Sequence, residues 1–254
     1  MAEAPRYVIL GRGRWAKKIQ PIIAGEGRAV RTIEETRQRQ SESKQSYVLR
    51  LAEAMKASRG QMAWLCVWPG PHVSLMIQAA LEAGLHVIVE KPWFGSAGDT
   101  ERLQAMARAT QRLLAVHFEY LVHREVENWR KSFHPGAGLR FGGHFFLSRP
   151  DHIGIPAIDN VGCHLMAIRE FAAPASEVSE VQSAYKRPDE RVVWLERGGQ
   201  RIASIDLLKG SERIIQDFLK KVEAALDGAG FPFDLHFALR VADQINAYQA
   251  RCTA

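Results

Sequence analysis

Two short stretches of this sequence carry residue types able to do chemistry. In His86-Val-Ile-Val-Glu-Lys-Pro-Trp93, three β-branched apolar residues run straight into a carboxylate, an ammonium and an imide ring. Such apolar runs favour a buried strand, so Glu90 and Lys91 stand where a core strand ends. A lysine in that position can polarise an oxygen or relay a proton, and Pro92 restricts it to extended backbone. Alone, the same three residues also describe a solvated charge pair at a strand end.

The second stretch is Gly11-Arg-Gly13-Arg14-Trp15-Ala16, which follows the strand-like Arg6–Leu10 and opens the helix-like Trp15–Ala24. It is the G-x-G-x-x-G/A pattern. The first glycine permits a tight turn, the second admits a pyrophosphate to the backbone, and the small third residue allows close helix–sheet packing. The ribose reader of such a site lies about 20 residues on. Glu34 and Glu35 stand there and favour NAD, whereas Arg31, Arg37 and Arg39 suit the 2′-phosphate of NADP. Both cofactors stay open.

These motifs need a scaffold. Strand-like Ala29–Ile33, Met62–Val67, His86–Val89 and Leu113–His117 alternate with helix-like Ser46–Ser58, Val73–Ala83 and Asp99–Arg108. Short apolar strands alternating with helices imply βαβ units and a parallel, doubly wound sheet. Ligands of such sheets bind beyond the carboxyl ends of the strands, which is where Lys91 falls. After about residue 120 the pattern changes. A helix-like Val122–Ser132 and the turn-rich His134–Gly138 precede four strand-like segments, Leu139–Ser148, Val178–Tyr185, Val192–Arg197 and Arg201–Leu207. A Gly198-Gly199 turn joins the last two, which points to antiparallel pairing. Helix-like Arg213–Leu226 and Leu235–Gln249 close the chain. The expected architecture is α/β: a Rossmann domain over residues 1–119 and a smaller α+β domain with a mainly antiparallel sheet over 120–254.

Composition narrows the function classes. The 254 residues, 46% hydrophobic and 24% charged, are ordinary for a globular protein. No apolar run approaches the ~20 residues of a membrane span, and MAEAPRYVIL does not resemble a signal peptide. Cys66, Cys163 and Cys252 are odd in number and widely spaced, suggesting neither a disulfide framework nor a zinc site. A cytoplasmic setting is expected. The net charge of +6 is spread along the chain without basic runs, so neither nucleic acid nor membrane is an expected partner. It suits a protein handling phosphorylated cofactors.

The Gly11–Ala16 turn, Trp68-Pro69-Gly-Pro-His72 and Ala80-Leu-Glu-Ala-Gly-Leu-His-Val-Ile-Val-Glu-Lys-Pro92 together resemble the glucose–fructose oxidoreductase / inositol dehydrogenase (Gfo/Idh/MocA) family. The resemblance covers the N-terminal half. It implies a Rossmann domain binding NAD or NADP, with Lys91 near the nicotinamide and the reacting carbon, and with Pro69–His72 lining the cofactor cleft. The family usually writes Asp-x-Gly-x-His in its second domain. Here Asn160-Val-Gly-Cys-His164 stands instead, with Asp159 one place early and Ala167 where a further acid is common. The resemblance thus makes His164 the acid–base residue and Asn160 the residue that orients it without supplying charge. Asp159, about 100° round a helix from its neighbour, suits a helix N-cap. His117, Glu119 and Tyr120 fall in the segment that faces substrate in the family. His117, Glu119 and His123 lack a further partner at ligand spacing, so no metal is expected. The second domain is shorter than usual for the family, as if a strand or hairpin were missing.

The expected function is an NAD(P)-dependent oxidoreductase acting on a carbinol or carbonyl carbon of a sugar, cyclitol or related small molecule, or on an imine. The alternative is a non-catalytic NAD(P)-binding sensor or assembly subunit. A homodimer or homotetramer is expected under either.

Overall fold

The structure is a computed structural model that describes residues 6–133, 138–150, 154–227 and 231–253. His134–Ala137, most of the turn-rich break anticipated above, lies outside the described residues.

The first sheet is built from β1 (Tyr7–Leu10), β2 (Val30–Ile33), β3 (Met62–Leu65), β4 (His86–Glu90) and β5 (Leu114–His117), every pair parallel, in the order β2-β1-β3-β4-β5. The strands β1, β3 and β5 are buried along their whole length. That is why they read as continuous apolar runs rather than alternating ones. Helices α1 (Arg14–Gly25), α2 (Lys44–Ser58), α3 (His72–Glu82) and α4 (Ala97–Ala109) connect them. Helix α1 turns Ala16, Ile19 and Ile23 inward at helical spacing. Ser43 and Ser96 cap α2 and α4, their hydroxyls accepting from the Ser46 and Asp99 amides. The strand order reverses between β1 and β3, and ligands of doubly wound sheets bind at the carboxyl ends of the strands flanking such a point.

The second sheet comprises β6 (Leu139–Leu147), β7 (Glu177–Tyr185), β8 (Glu190–Arg197) and β9 (Gln200–Asp206), in the order β7-β6-β8-β9. The β6–β8 and β8–β9 pairs are antiparallel and β6–β7 is parallel. The parallel pair follows from its connection. The chain leaves β6 and passes through α6 (Cys163–Ala172) before returning as β7, and parallel neighbours need a crossover of that kind. The β8–β9 hairpin turns on Gly198 and Gly199 at φ +58° and +78°, values that glycine adopts without steric cost. A 3₁₀ turn over Glu119–Val122, α5 (Arg124–Ser132), α7 (Ile214–Ala224) and α8 (Leu235–Thr253) complete the helices.

The chain divides into residues 1–117 with 218–239, and 118–217 with 240–254. Residues 218–239 thus return to the first unit. Phe218 accounts for that return, packing 4.6 Å from His117 and 6.2 Å from Trp64 between ring centroids. Glu223 adds to it, accepting from the Tyr7 hydroxyl at 2.7 Å and from Arg28 Nη2 at 2.6 Å.

Candidate active site

In the first unit the glycine turn is shaped by a close approach. Gly11 has φ +119°, and a Cβ there would lie 2.4 Å from the Cys66 carbonyl oxygen. Gly13 caps α1 in extended backbone with no side-chain cap, no acid in the first turn and nothing within 4 Å of where its Cβ would be. The first amides of a helix have no partners within it, and here no carboxylate competes for them. The turn therefore fits a dinucleotide pyrophosphate seated on the helix N-terminus. Ala16 is buried at 3% exposure, as a small residue at close helix–sheet packing should be.

At the end of β2, Arg39 pairs with Glu35 at 2.9 Å, and Arg50 pairs with Glu42 at 2.8 Å while donating to the Arg37 carbonyl. The Arg39 guanidinium holds the Glu35 carboxyl below its usual range. Glu34 and Arg37 follow the same strand end, both exposed. The Trp68–His72 turn leads into α3. Trp68 is exposed, and His72 is half-buried with its imidazole pushed down by that burial. A Cβ on Gly70 would come within 3.1 Å of the His72 ring, so the turn is tight against it.

Glu90 is the main departure from expectation. It does not emerge beside Lys91 as one half of a charge pair. Its carboxylate turns inward and accepts from the Trp15 indole N–H and from Trp64 Nε1 at 2.8 Å, with His117 Nδ1 at 3.0 Å. A carboxylate at that distance favours the imidazole tautomer that carries its proton on Nδ1. One largely enclosed carboxylate, its side chain 12% exposed, thus ties α1, β3 and β5 to the end of β4, directly before Lys91. The Lys91–Pro92 peptide is cis. Beyond it, Trp93 is buried and donates to Thr100 Oγ1 at 2.9 Å. The Cys66 thiol is pushed well up by burial, with Glu90 adding to the effect, so it is a packing group and not a nucleophile.

His117 is fully buried, edge-on to Trp64 at 5.0 Å and to Phe218 at 4.6 Å. Those contacts place it in the first unit's core. The contacts of Trp15 and Trp64 with Glu90 escaped sequence reading because the indole donors meet it across 75 and 26 residues, and no local spacing reports such a contact.

In the second unit, a π-turn over Ile158–Gly162 leads into α6, and His164 lies in the first turn of that helix. Its imidazole is enclosed by aromatic rings. Phe145 stacks on it at 5.3 Å and 16°, Tyr120 meets it edge-on at 5.0 Å, and Phe118 edge-on at 6.4 Å. Glu119 Oε1 lies 3.7 Å from His164 Nε2. The Tyr120 hydroxyl accepts from Arg191 Nη1 at 2.6 Å. Burial, reinforced by Glu119, pushes the Tyr120 phenol up to about 12, so it stays protonated at any working pH. Asn160 donates from Nδ2 to the Tyr185 hydroxyl at 2.6 Å. Asp159 is not a helix N-cap: it lies inside the π-turn, whose N-cap is Ala157, and burial pushes its carboxyl up. Phe145, Tyr185 and Arg191 carried no motif and were not anticipated. They reach this cluster through sheet register, which a linear sequence does not display.

Residues 6–118 match the Gfo/Idh/MocA family model, described as an oxidoreductase family with an NAD-binding Rossmann fold. The first domain belongs to the Gfo/Idh/MocA family. With that membership comes the cofactor class, NAD or NADP, for which the Gly11–Ala16 turn supplies the fitting residues. No curated protein matches the chain by sequence. Solved structures resemble it over nearly its whole length. UDP-N-acetylglucosamine 3-dehydrogenase GnnA from Acidithiobacillus ferrooxidans superposes with a TM-score of 0.74 at 14% identity, covering 96% of each chain. GenD2 from gentamicin A biosynthesis, in complex with NAD, gives 0.72 at 15% identity over 97% of this chain and 93% of its own. The WlbA (WbpB) dehydrogenase from Thermus thermophilus, with NAD and α-ketoglutarate, gives 0.68 at 14% over 94% and 92%. At these identities the likeness establishes the two-domain fold alone. Among the described residues no helix is long and apolar enough to cross a membrane.

Proposed function

We propose that this protein is an NAD(P)-dependent dehydrogenase or reductase. Its substrate would be a carbinol or carbonyl carbon of a sugar, cyclitol or related small molecule. The observation that carries this reading is the Glu90 junction. A carboxylate with three N–H groups around it holds the end of β4 in place, and Lys91 is the next residue, at the carboxyl end of the strands where doubly wound folds bind ligands. A core strand that only needed to end would not enclose an acid to anchor the lysine after it.

The nicotinamide, when bound, supplies the hydride acceptor or donor. The chain's own work is to orient and to move one proton. Lys91 polarises the substrate oxygen or relays its proton. His164 serves as acid or base, imidazole being the side chain whose charge most readily changes near neutral pH. A solved neighbour that is a UDP-N-acetylglucosamine 3-dehydrogenase favours a sugar hydroxyl over an imine. The reading carries with it a cytoplasmic setting and a homodimer or homotetramer, the latter decided by analytical ultracentrifugation. The test of function is NADH or NADPH turnover against a panel of keto-sugars, keto-cyclitols and imines. With any accepted substrate, Lys91→Ala lowers kcat by ~10²-fold or more while cofactor affinity stays within a few-fold. An unchanged kcat returns Lys91 to a surface charge.

A further inference from the structure

The position where the family resemblance expects an aspartate holds Asn160, an amide that donates to Tyr185 and supplies no negative charge. A buried imidazole that must accept and release a proton needs an anionic partner to stabilise its charged form. We propose that Glu119 is that partner, a positioning residue that orients His164 and stabilises its imidazolium in place of the absent aspartate. The proposal rests on the functional reading of His164 given above and deepens it.

Three observations carry it. Glu119 Oε1 stands 3.7 Å from His164 Nε2, with side-chain exposures of 11% and 3%. The distance is that of an ion pair rather than a short hydrogen bond. The rings of Phe118, Tyr120 and Phe145 surround the imidazole and keep the local dielectric low, so a charge at this distance acts strongly. Glu119 and Tyr120 share one 3₁₀ turn. The same short element therefore supplies both the acid and an aromatic edge to the ring.

Other described groups lie close by. The Arg191 guanidinium lies over the Phe145 ring at 5.2 Å and donates to the Tyr120 hydroxyl, and its Nη2 is 3.6 Å from Asp189 Oδ2. The Tyr120 phenol is neutral, and the neighbouring Cys163 thiol donates to the Asn160 carbonyl. Glu119 places a carboxylate beside the ring.

The test is an NMR pH titration of the His164 imidazole nitrogens in cofactor-free protein, its resonances assigned by their loss in His164→Asn. Glu119→Gln keeps the size of the side chain and removes the charge. It should lower the His164 midpoint by at least ~1 pH unit, the scale for losing an opposite charge at 4–6 Å. Glu119→Asp, one methylene shorter, should titrate between Gln and wild type, and it also serves if the Gln variant does not fold. In turnover, the Glu119→Gln pH profile should move by the same amount, with kcat falling more than KM changes. If His164 titrates identically in wild type and both variants, the proposal is overturned. That result leaves the oxidoreductase reading standing, because the titration involves neither cofactor nor substrate. Absence of turnover across the substrate panel sinks the functional reading and leaves the titration result intact.

Discussion

Each unit encloses a carboxylate beside an imidazole, and the two pairs are built differently. Glu90 and His117 lie 3.0 Å apart, and two indole N–H groups also donate to that carboxylate. Glu119 and His164 lie 3.7 Å apart among hydrocarbon rings. The first carboxylate is held from three elements, so its pair is suited to fixing a strand end. The second pair sets an acid at ion-pair distance from an imidazole, so under the proposed role a proton gained or lost on the ring changes its balance of charge. What separates the two pairs is their setting: indole donors around the first carboxylate, aromatic rings around the second imidazole.

The comparison breaks if the histidines exchange roles. His164→Ala should cut turnover by ~10²-fold or more, the scale of a lost proton-transfer group, with little change in thermal midpoint. His117→Ala should do the reverse, lowering the unfolding midpoint while the folded fraction keeps turnover within a few-fold. Steady-state kinetics and thermal melts on both variants decide it, and turnover lost only in the His117 variant would invert the assignment.

Next in size comes the fastening itself. Glu90→Ala leaves the Trp15, Trp64 and His117 donors without their acceptor. Each buried group so orphaned costs roughly 1–3 kcal/mol, so urea unfolding should show a loss of several kcal/mol at an unchanged m-value. A loss within error would mean that water replaces Glu90 freely and that Lys91 is not anchored through it.

Much of the first unit was legible in the sequence, for physical reasons that also explain what was not. Buried parallel strands must be apolar throughout, so Tyr7–Leu10 and Met62–Leu65 announced themselves. Gly11 needs a conformation that a side chain would obstruct, and the motif recorded that need. Lys91 stood at a strand end by position alone. The inward turn of Glu90 left no trace, because its donors come from residues far along the chain. The pairing of Glu119 with His164 was hidden for the same reason, across 45 positions of numbering. Helical periodicity marked α7 as having one buried face but not which core that face covers, and Phe218 settled it through Trp64 and His117. The parallel β6–β7 pair escaped because strand residues report burial and leave direction to the connection between strands.

The smallest expected effect involves a third imidazole, His86 at the start of β4, which is locked in its neutral form. Its Nδ1 accepts from the Leu113 amide at 2.9 Å, and burial, with Arg112 nearby, pushes its pKa down from 6.5 to about 4. The unfolded chain takes up this proton near the ordinary value and the folded chain only near the depressed one. The contribution of His86 is therefore complete above about pH 6.5 and is lost as the pH falls towards about 4. The ring is partly solvated, so screening keeps the effect to about 1 kcal/mol or less. Urea midpoints of wild type and His86→Asn across that window should converge as the pH drops. If the gap stays constant, His86 does not titrate differently on folding.

The account stands or falls on the glycine turn that makes the first unit a cofactor site. Gly13 has an ordinary φ of −69° and nothing within 4 Å of its Cβ position, so valine fits the fold and intrudes only on whatever approaches the backbone there. Calorimetric titration of NADH and NADPH into wild type and Gly13→Val is the direct measurement. Wild type should bind at least one of the two, while the variant, with an unchanged circular dichroism spectrum and melting midpoint, should bind neither. Equal affinity in both proteins, or no binding to wild type, would contradict the account.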